Sequence, residues 1–380
     1  MNILFVASDN NKSSGAFLSM VKLIQILKAR YSIIPIVVVP KRGTGVELLA
    51  NIGVKYYLVE NYDWVIPLNE GNTFENLLDR QRKRKFNKSA VKRLKNIIGV
   101  ENIEIVHINT SYAYIGALAA RECGIPYVWH IREMLEEDQG RRIWNKNGYK
   151  LIAGASRIIA ISTVVFEKYE RIFKTEKLVK ILNGVDIDKF YIPNHEIFQD
   201  EKVSLVYGGG YGRKKGVFCL LSALRLVIDN GIDNISLELI GEPSDSFKKA
   251  VLKYGLSSYI TFCGFQEHVE KYYKHADIAF STSVCEAFGR KTVEGMLGGA
   301  LLIAADTGGT IDIIANGKTG LTYKEGNPID LAQKITYAIK NKNEMKKIAE
   351  CGRKYALDHF DASLNAKSVY EVYESVLKGV

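Results

Sequence analysis

Two carboxylates, Glu286 and Glu294, stand eight positions apart in the stretch EAFGRKTVE, which follows an apolar run ending Ser281-Thr282-Ser283 and opens a segment of helical period. Read as helix throughout, eight residues rise about 12 Å. That span exceeds the roughly 5–9.5 Å between the paired carboxylates of glycoside hydrolysis, so the pair is not expected to flank one glycosidic bond. It suits the two ends of a long ligand, such as the sugar and the ribose of a nucleotide sugar. Between the acids, backbone N–H groups at Phe288, Gly289 and Arg290 would form a helix N-terminus fit for a diphosphate. Acids placed only for helix-dipole and surface reasons are the plainer reading of the same spacing.

A second candidate is Gly208–Gly216, GGGYGRKKG, between a strand-like run and a helical one. Gly209 and Gly210 would let backbone approach a phosphate, and Arg213, Lys214 and Lys215 would neutralise it. The stretch has neither the GK[ST] ending of a P-loop nor a GxGxxG spacing, so a simple tight turn reads equally well. His107 and His130 each end an apparent strand, where sites gather at the carboxyl edge of parallel sheets. Asp186-Ile-Asp188 has the spacing of a metal-binding pair, but after Asn183-Gly184 it reads as a turn. No HExxH, GxSxG or EF-hand pattern is present.

The elements that must position these residues alternate along the chain. Strand-like runs are Asn2–Ala7, Ile33–Val39, Ile103–Ile108, Tyr127–His130, Arg157–Ile161 and Leu178–Leu182. A second series is Val203–Tyr207, Ser236–Ile240, Tyr259–Cys263, Asp277–Ser281, Ala300–Ala304 and Gly320–Tyr323. Several are apolar on both faces, as parallel strands covered by helices must be. Helical stretches such as Ala16–Arg30 and Val217–Asp229 fill the gaps, which predicts an α/β fold. About twelve strands exceed one comfortable sheet. The polar, aperiodic Asp186–Lys202 therefore marks a boundary, giving a first domain over 1–190 and a second over 200–360. Residues 361–380 read as a C-terminal helix, apolar at Leu364, Val369, Val372 and Val376.

The chain has 380 residues, 47% hydrophobic and 25% charged, a composition that excludes disordered and collagen-like classes. Five scattered cysteines without a CxxC pair argue for reduced thiols and a cytoplasmic setting, and against structural zinc. The opening MNILFVAS reads as a first strand and not a signal peptide. No run is long and apolar enough to span a bilayer. A formal charge of +10 favours anionic partners. Much of it sits in Arg80–Lys95, nine Lys or Arg in sixteen residues without an acid, after Asn61–Arg80, where neither strand nor helix is evident.

In order, these residues resemble the retaining GT-B-fold glycosyltransferases of family 4. Lys215-Gly216 looks like the phosphate-binding Lys-Gly element, and Leu239-Ile240-Gly241, Thr261–Phe265 and Ala276-Asp277 match the segments that follow. Glu286 to Glu294 fits the family's E-x7-E signature, and Gly308-Gly309-Thr310 with Asn316–Gly320 fits the stretch beyond. The first half matches more thinly, at Ser14-Gly15-Ala16, Trp129-His130 and Asn183–Asp186. Three departures stand out: Gly209 and Gly210 occupy the places where an arginine usually precedes the lysine, Asp312 replaces a glutamate, and Leu301 stands where a proline is common.

The resemblance implies two Rossmann-like domains with parallel sheets facing a central cleft, and a C-terminal helix packing back toward the first domain. It implies sugar transfer from a UDP- or GDP-sugar, with retention and without a metal or other cofactor, to a glycan or lipid-linked acceptor in cell-surface polysaccharide synthesis. Lys215 would stabilise the departing phosphate, Glu286 would bind donor-sugar hydroxyls, Glu294 the ribose, and His130 would face the sugar from the acceptor domain. Gly15 would let the first loop approach, and Arg213 and Lys291 would add cations. Two alternatives are a nucleotide-sugar 2-epimerase of the same architecture and a nucleic-acid binder using Arg80–Lys95. The latter lacks any accompanying nucleic-acid signature, so no nucleic acid is expected. The same basic run, with Trp64, Arg82, Lys83, Arg84 and Lys85 and an apolar stripe of Leu77, Leu78, Val91, Leu94, Ile97 and Ile98 if the region is helical, is expected to dock the cytoplasmic enzyme peripherally on an anionic membrane.

Overall fold

The computed structural model describes residues 1–145 and 147–379, the side chain of Arg213 excepted. The chain divides into two compact units, one of Met1–Gly184 with Ala362–Val380 and the other of Val185–Asp361. No helix among the described residues is long and apolar enough to cross a membrane.

Among the described residues, nine strands lie in the first unit: β1 (Asn2–Val6), β2 (Ile34–Val39), β3 (Lys55–Leu58), β4 (Val65–Pro67), β5 (Ile105–Asn109), β6 (Tyr127–Ile131), β7 (Arg141–Ile143), β8 (Arg157–Ala160) and β9 (Leu178–Lys180). Seven form a parallel sheet in the order β3-β2-β1-β5-β6-β8-β9, while β4 and β7 pair antiparallel apart from it. Side chains alternate across the sheet. Ile3, Phe5, Ile105, Val128 and Ile159 meet the helices Gly15–Tyr31 and Ala362–Lys378. Val6 and Val106 instead meet helix Ile115–Cys123, so closely that a Cβ on Gly116 would fall 2.8 Å from Val6. Both faces are covered, which is why the strands read as continuous apolar runs.

Six strands make the second unit: β10 (Val203–Gly208), β11 (Ile235–Ile240), β12 (Ile260–Gly264), β13 (Ile278–Ser281), β14 (Leu301–Ala305) and β15 (Leu321–Tyr323). They form one parallel sheet in the order β12-β11-β10-β13-β14-β15. Helix Val217–Asp229 buries Leu220, Leu221 and Leu224 in a core shared with Leu331 and Ile335 of helix Pro328–Lys340.

Each sheet has a point where the winding reverses, between β1 and β5 and between β10 and β13, and ligands of open α/β sheets bind beyond the carboxyl ends of the strands at such points. The stretch Asp186–Lys202, expected as a linker, instead belongs to the second unit. Phe190, Ile197 and Phe198 are buried, and Asp277 accepts hydrogen bonds from the backbone N–H groups of Phe198 and Ser204. Scattered apolar anchors without periodicity hid this packing from the sequence. Asn61–Arg80, expected to lack elements, holds β4 and the start of a long helix, Phe74–Val100, capped by the Thr73 hydroxyl.

Candidate active site

In the second unit the glycine-rich turn leaves β10 and the Thr282–Glu286 loop leaves β13, the two strands at its reversal point. Three contacts tie the loops together. Gly216 has φ +66°, and a Cβ there would fall 1.8 Å from the Thr282 carbonyl oxygen, so only glycine fits. The Thr282 hydroxyl donates to the Lys215 carbonyl at 2.7 Å, and the Val284 N–H donates to the Lys214 carbonyl at 2.9 Å. Beneath them the Tyr207 hydroxyl donates to the Gly210 carbonyl at 2.8 Å; burial first, and the charge of Glu286 second, push its phenol above its ordinary value. The turn thereby holds the Lys215 ammonium 4.0 Å from the Glu286 carboxylate, both partly exposed at 36% and 28%.

Glu286 is not on a helix. Helix Arg290–Leu297 begins after Gly289, whose φ of +99° breaks the helical path, so the 12 Å rise expected between the two acids does not apply. The Glu286–Phe288 backbone is held instead by the glycine pair downstream: Cβ atoms on Gly308 and Gly309 would fall 2.4 Å from the Glu286 and Phe288 carbonyl oxygens. The Gly309 N–H also donates to the Glu286 carbonyl at 2.7 Å. Phe288 turns its ring inward against Phe360, centroids 5.8 Å apart, leaving its backbone as the part that can serve a ligand.

Glu294 is buried one turn along that helix, 3.0 Å from the Lys291 ammonium and 3.4 Å from Arg290. Tyr273 lies nearby, its phenol raised well above the ordinary range by burial first and by Glu294 next. A Cβ on Gly208 would come within 3.3 Å of the Tyr273 hydroxyl and 4.0 Å of the Lys291 side chain. Gly209 accepts the close approach of Gly241, whose Cβ would meet its carbonyl at 2.5 Å. The structure thus gathers Gly208–Gly210, Lys215, Glu286, Arg290, Lys291 and Glu294 around one strand edge; the Arg213 side chain lies outside the described residues. Tyr207, Tyr273 and Thr282 carried no sequence signal: Tyr207 and Thr282 sit in or just after apolar strand runs, and Tyr273 ends a short helix among lysines, and neither setting marks a binding residue.

In the first unit Gly15 opens helix Gly15–Tyr31 beyond β1, with Ser14 as its cap, and the Ser14 hydroxyl donates to Asp9 at 3.0 Å. His130 ends β6 fully buried. The Arg132 guanidinium donates to Asn109 at 2.6 Å and to Asn183 at 3.0 Å, and its remaining amino group stands 3.3 Å from His130 Nδ1. A cation can only donate to Nδ1, which leaves the proton on Nε2, an atom without a partner among the described residues. Burial first, then Arg132 and His107, hold the His130 pKa well below its usual value, so the ring is neutral and a hydrogen-bond donor. Asp186 precedes a single helical turn, and no group of three or more His, Cys, Asp and Glu among the described residues is placed to hold a metal ion.

Two expectations for the basic segment fail. Trp64 is 2% exposed, stacks on Tyr114 at 4.4 Å between ring centroids and donates its indole N–H to the Ser111 carbonyl, so it cannot dock a membrane. The apolar stripe divides: Val91, Leu94, Ile97 and Ile98 are buried, while Leu77 and Leu78 remain exposed. Arg82, Arg84 and Lys85 are exposed on the helix, and Lys83 pairs with Asp79 at 2.7 Å.

Residues 64–189 match the family model "Glycosyltransferase Family 4", and residues 188–355 match "Glycosyl transferases group 1". A glycosyltransferase of uncharacterized role from Methanocaldococcus jannaschii is 26% identical over 296 residues, 76% of this chain and 80% of its own length. The capsular polysaccharide biosynthesis glycosyltransferase CapM of Staphylococcus aureus is 24% identical over 242 residues, 59% and 63% of the two chains. The crystal structure of Anabaena HepE in complex with UDP and glucose matches the fold with a TM-score of 0.80 at 21% identity, over 99% of this chain and 100% of that one. Neither the epimerase nor the nucleic-acid alternative has a counterpart in these matches. The chain belongs to the glycosyltransferases of GT-B fold.

Proposed function

We propose that the chain transfers a sugar, with retention of anomeric configuration and without a metal, from a UDP-sugar to a lipid-linked glycan acceptor in polysaccharide synthesis at the cell surface. The observation that carries this reading is the Lys215–Glu286 pair, set by two interlocked loops at the reversal point of the second sheet. HepE, which shares the fold, is seen with UDP and with UDP-glucose, and CapM is named for capsular polysaccharide; both support the choice of donor and pathway class.

The residues divide the work. As the bond from sugar to diphosphate breaks, charge collects on the leaving phosphate, and Lys215 with the N-terminus of helix Arg290–Leu297 stands ready to stabilise it. Such groups accelerate the reaction because they bind that charge more strongly as it develops. Glu286, partly exposed beside Lys215, accepts hydrogen bonds from donor-sugar hydroxyls, and Glu294 accepts from the ribose, with Lys291 and Arg290 orienting its carboxylate. His130, wholly buried with Nε2 closed off from solvent, takes no direct contact with the sugar in this reading. Cations supply the phosphate recognition that a metal would otherwise provide. The peripheral position at an anionic membrane rests on the exposed Arg82, Arg84 and Lys85.

The test is product analysis with an acceptor mixture and UDP-glucose. Proton NMR of the first-formed product should show the donor's anomeric configuration. An inverted product, or an altered sugar nucleotide formed without acceptor, would overturn the reading.

A further inference from the structure

In the first unit a groove of about 1150 Å³ lies between helices Phe74–Val100, Ile115–Cys123 and Gly148–Ala153. Arg84, Lys88 and Lys92 form one wall, with Arg121 and Lys150 on the other helices. None of these five makes an ion pair among the described residues; Lys95 at the far end is matched by Glu122 at 2.9 Å. Spacings of four place Arg84, Lys88 and Lys92 on one face of the helix. The same face continues toward the helix start as Leu77 and Phe74, exposed at 45% and 75%. A second hollow holds Leu77 and shares Arg84 and Trp144 with the first, so the apolar and cationic stretches join. Trp64 and Tyr114 floor the groove where it nears Ser111, just beyond the carboxyl end of β5.

We propose that this groove holds a lipid diphosphate, its two phosphates among Arg84, Lys88, Lys92, Arg121 and Lys150 and its chain leaving over Leu77 and Phe74. The inference deepens the proposed function and rests on its lipid-linked acceptor. Uncompensated cations on facing walls call for a compact, multiply charged anion, since each would otherwise repel the others. The apolar exit calls for a chain attached to it. The volume exceeds the roughly 300–1,000 Å³ of ordinary small-ligand pockets, leaving room for the first part of that chain. A nucleic acid would use the cations and could stack a base on Phe74, but it would leave the aliphatic Leu77 without a role.

Calorimetric titration of the intact protein with farnesyl diphosphate tests this. The wild type should bind it, and Lys88→Glu with Lys92→Glu should weaken binding at least tenfold. UDP affinity and melting temperature should stay unchanged, since both positions are exposed. Phe74→Ser with Leu77→Ser should weaken farnesyl diphosphate but not inorganic diphosphate. Equal affinity for the two probes, tighter binding of a single-stranded oligonucleotide, or indifference to the charge reversals would overturn the proposal. Failure of UDP to bind would instead strike at the donor reading, leaving the groove result to stand by itself.

Discussion

Lys215 and Glu286 sit at the limit of ion-pair distance, 4.0 Å, and both face solvent in part, so their attraction is weak at rest. A diphosphate would outbid the carboxylate for the ammonium, freeing Glu286 for sugar hydroxyls. Lys215→Ala should therefore lower turnover by roughly 10²–10³-fold, the usual cost of one preorganised charge-stabilising group, measured as UDP release at saturating donor. Glu294 differs in kind. It is buried against two partly exposed cations, so Glu294→Ala should cost stability of about 1–3 kcal/mol as well as nucleotide affinity. Glu286→Ala, in an open loop, should leave the melting temperature close to wild type while damaging transfer. Melting curves of the two variants decide between these roles; equal shifts would remove the distinction. The two acids were legible in the sequence by type and spacing. Their separation was not, because one positive-φ glycine, Gly289, ends the helical path between them.

Paired strands and a returning helix create the pH response of the first unit. On β5, His107 Nδ1 shares a hydrogen bond with the hydroxyl of Tyr373 of the C-terminal helix at 2.7 Å, and its ring lies edge-on to His130 of β6. Burial, aided by Arg132, lowers the His107 pKa to about 3, and burial lowers His130 in the same sense. Both rings stay neutral in the fold yet take protons once unfolded. Stability is thus level above about pH 6.5 and falls below it, by up to about 1.4 kcal/mol per pH unit for each ring, until the folded pKa is reached. Buried Glu133, whose carboxyl is raised by desolvation, acts in the opposite sense at lower pH. All three tryptophans, Trp64, Trp129 and Trp144, lie in this unit, so their fluorescence reports its unfolding alone. The urea midpoint should drop between pH 6.5 and 5, and His107→Asn should halve the drop; a midpoint level over that range would contradict the burial of the rings. Strands rich in Val, Ile and Leu were readable from composition, and all twelve expected ones are present. β3, β4 and β7 were not: Val65–Pro67 finds its partner at Arg141–Ile143, and no local pattern announces a pairing across that separation.

For the molecule as a whole, the C-terminal helix belongs with the first unit, where Ala366, Val369 and Tyr373 join a core begun by β1 and helix Gly15–Tyr31. The chain thus leaves one unit, builds the other and returns, as the resemblance and the apolar face of the last helix led one to expect. The buried Trp64 shows the opposite case. An aromatic amid charged and polar residues reads as surface, yet its indole N–H and ring are satisfied by Ser111 and Tyr114, some fifty positions away. With phosphate recognition assigned to cations, turnover should persist in excess EDTA; loss restored by Mg²⁺ or Mn²⁺ would require a metal site. In the proposed reaction the second unit holds the diphosphate at Lys215. UDP carries the charge that the leaving group acquires, so its affinity reads that contact directly. Calorimetric titration of UDP into the intact chain should give one site per molecule, weakened about tenfold by Lys215→Ala, the worth of one charge-assisted hydrogen bond. Absence of binding to the wild type, or equal affinity in the variant, would contradict it.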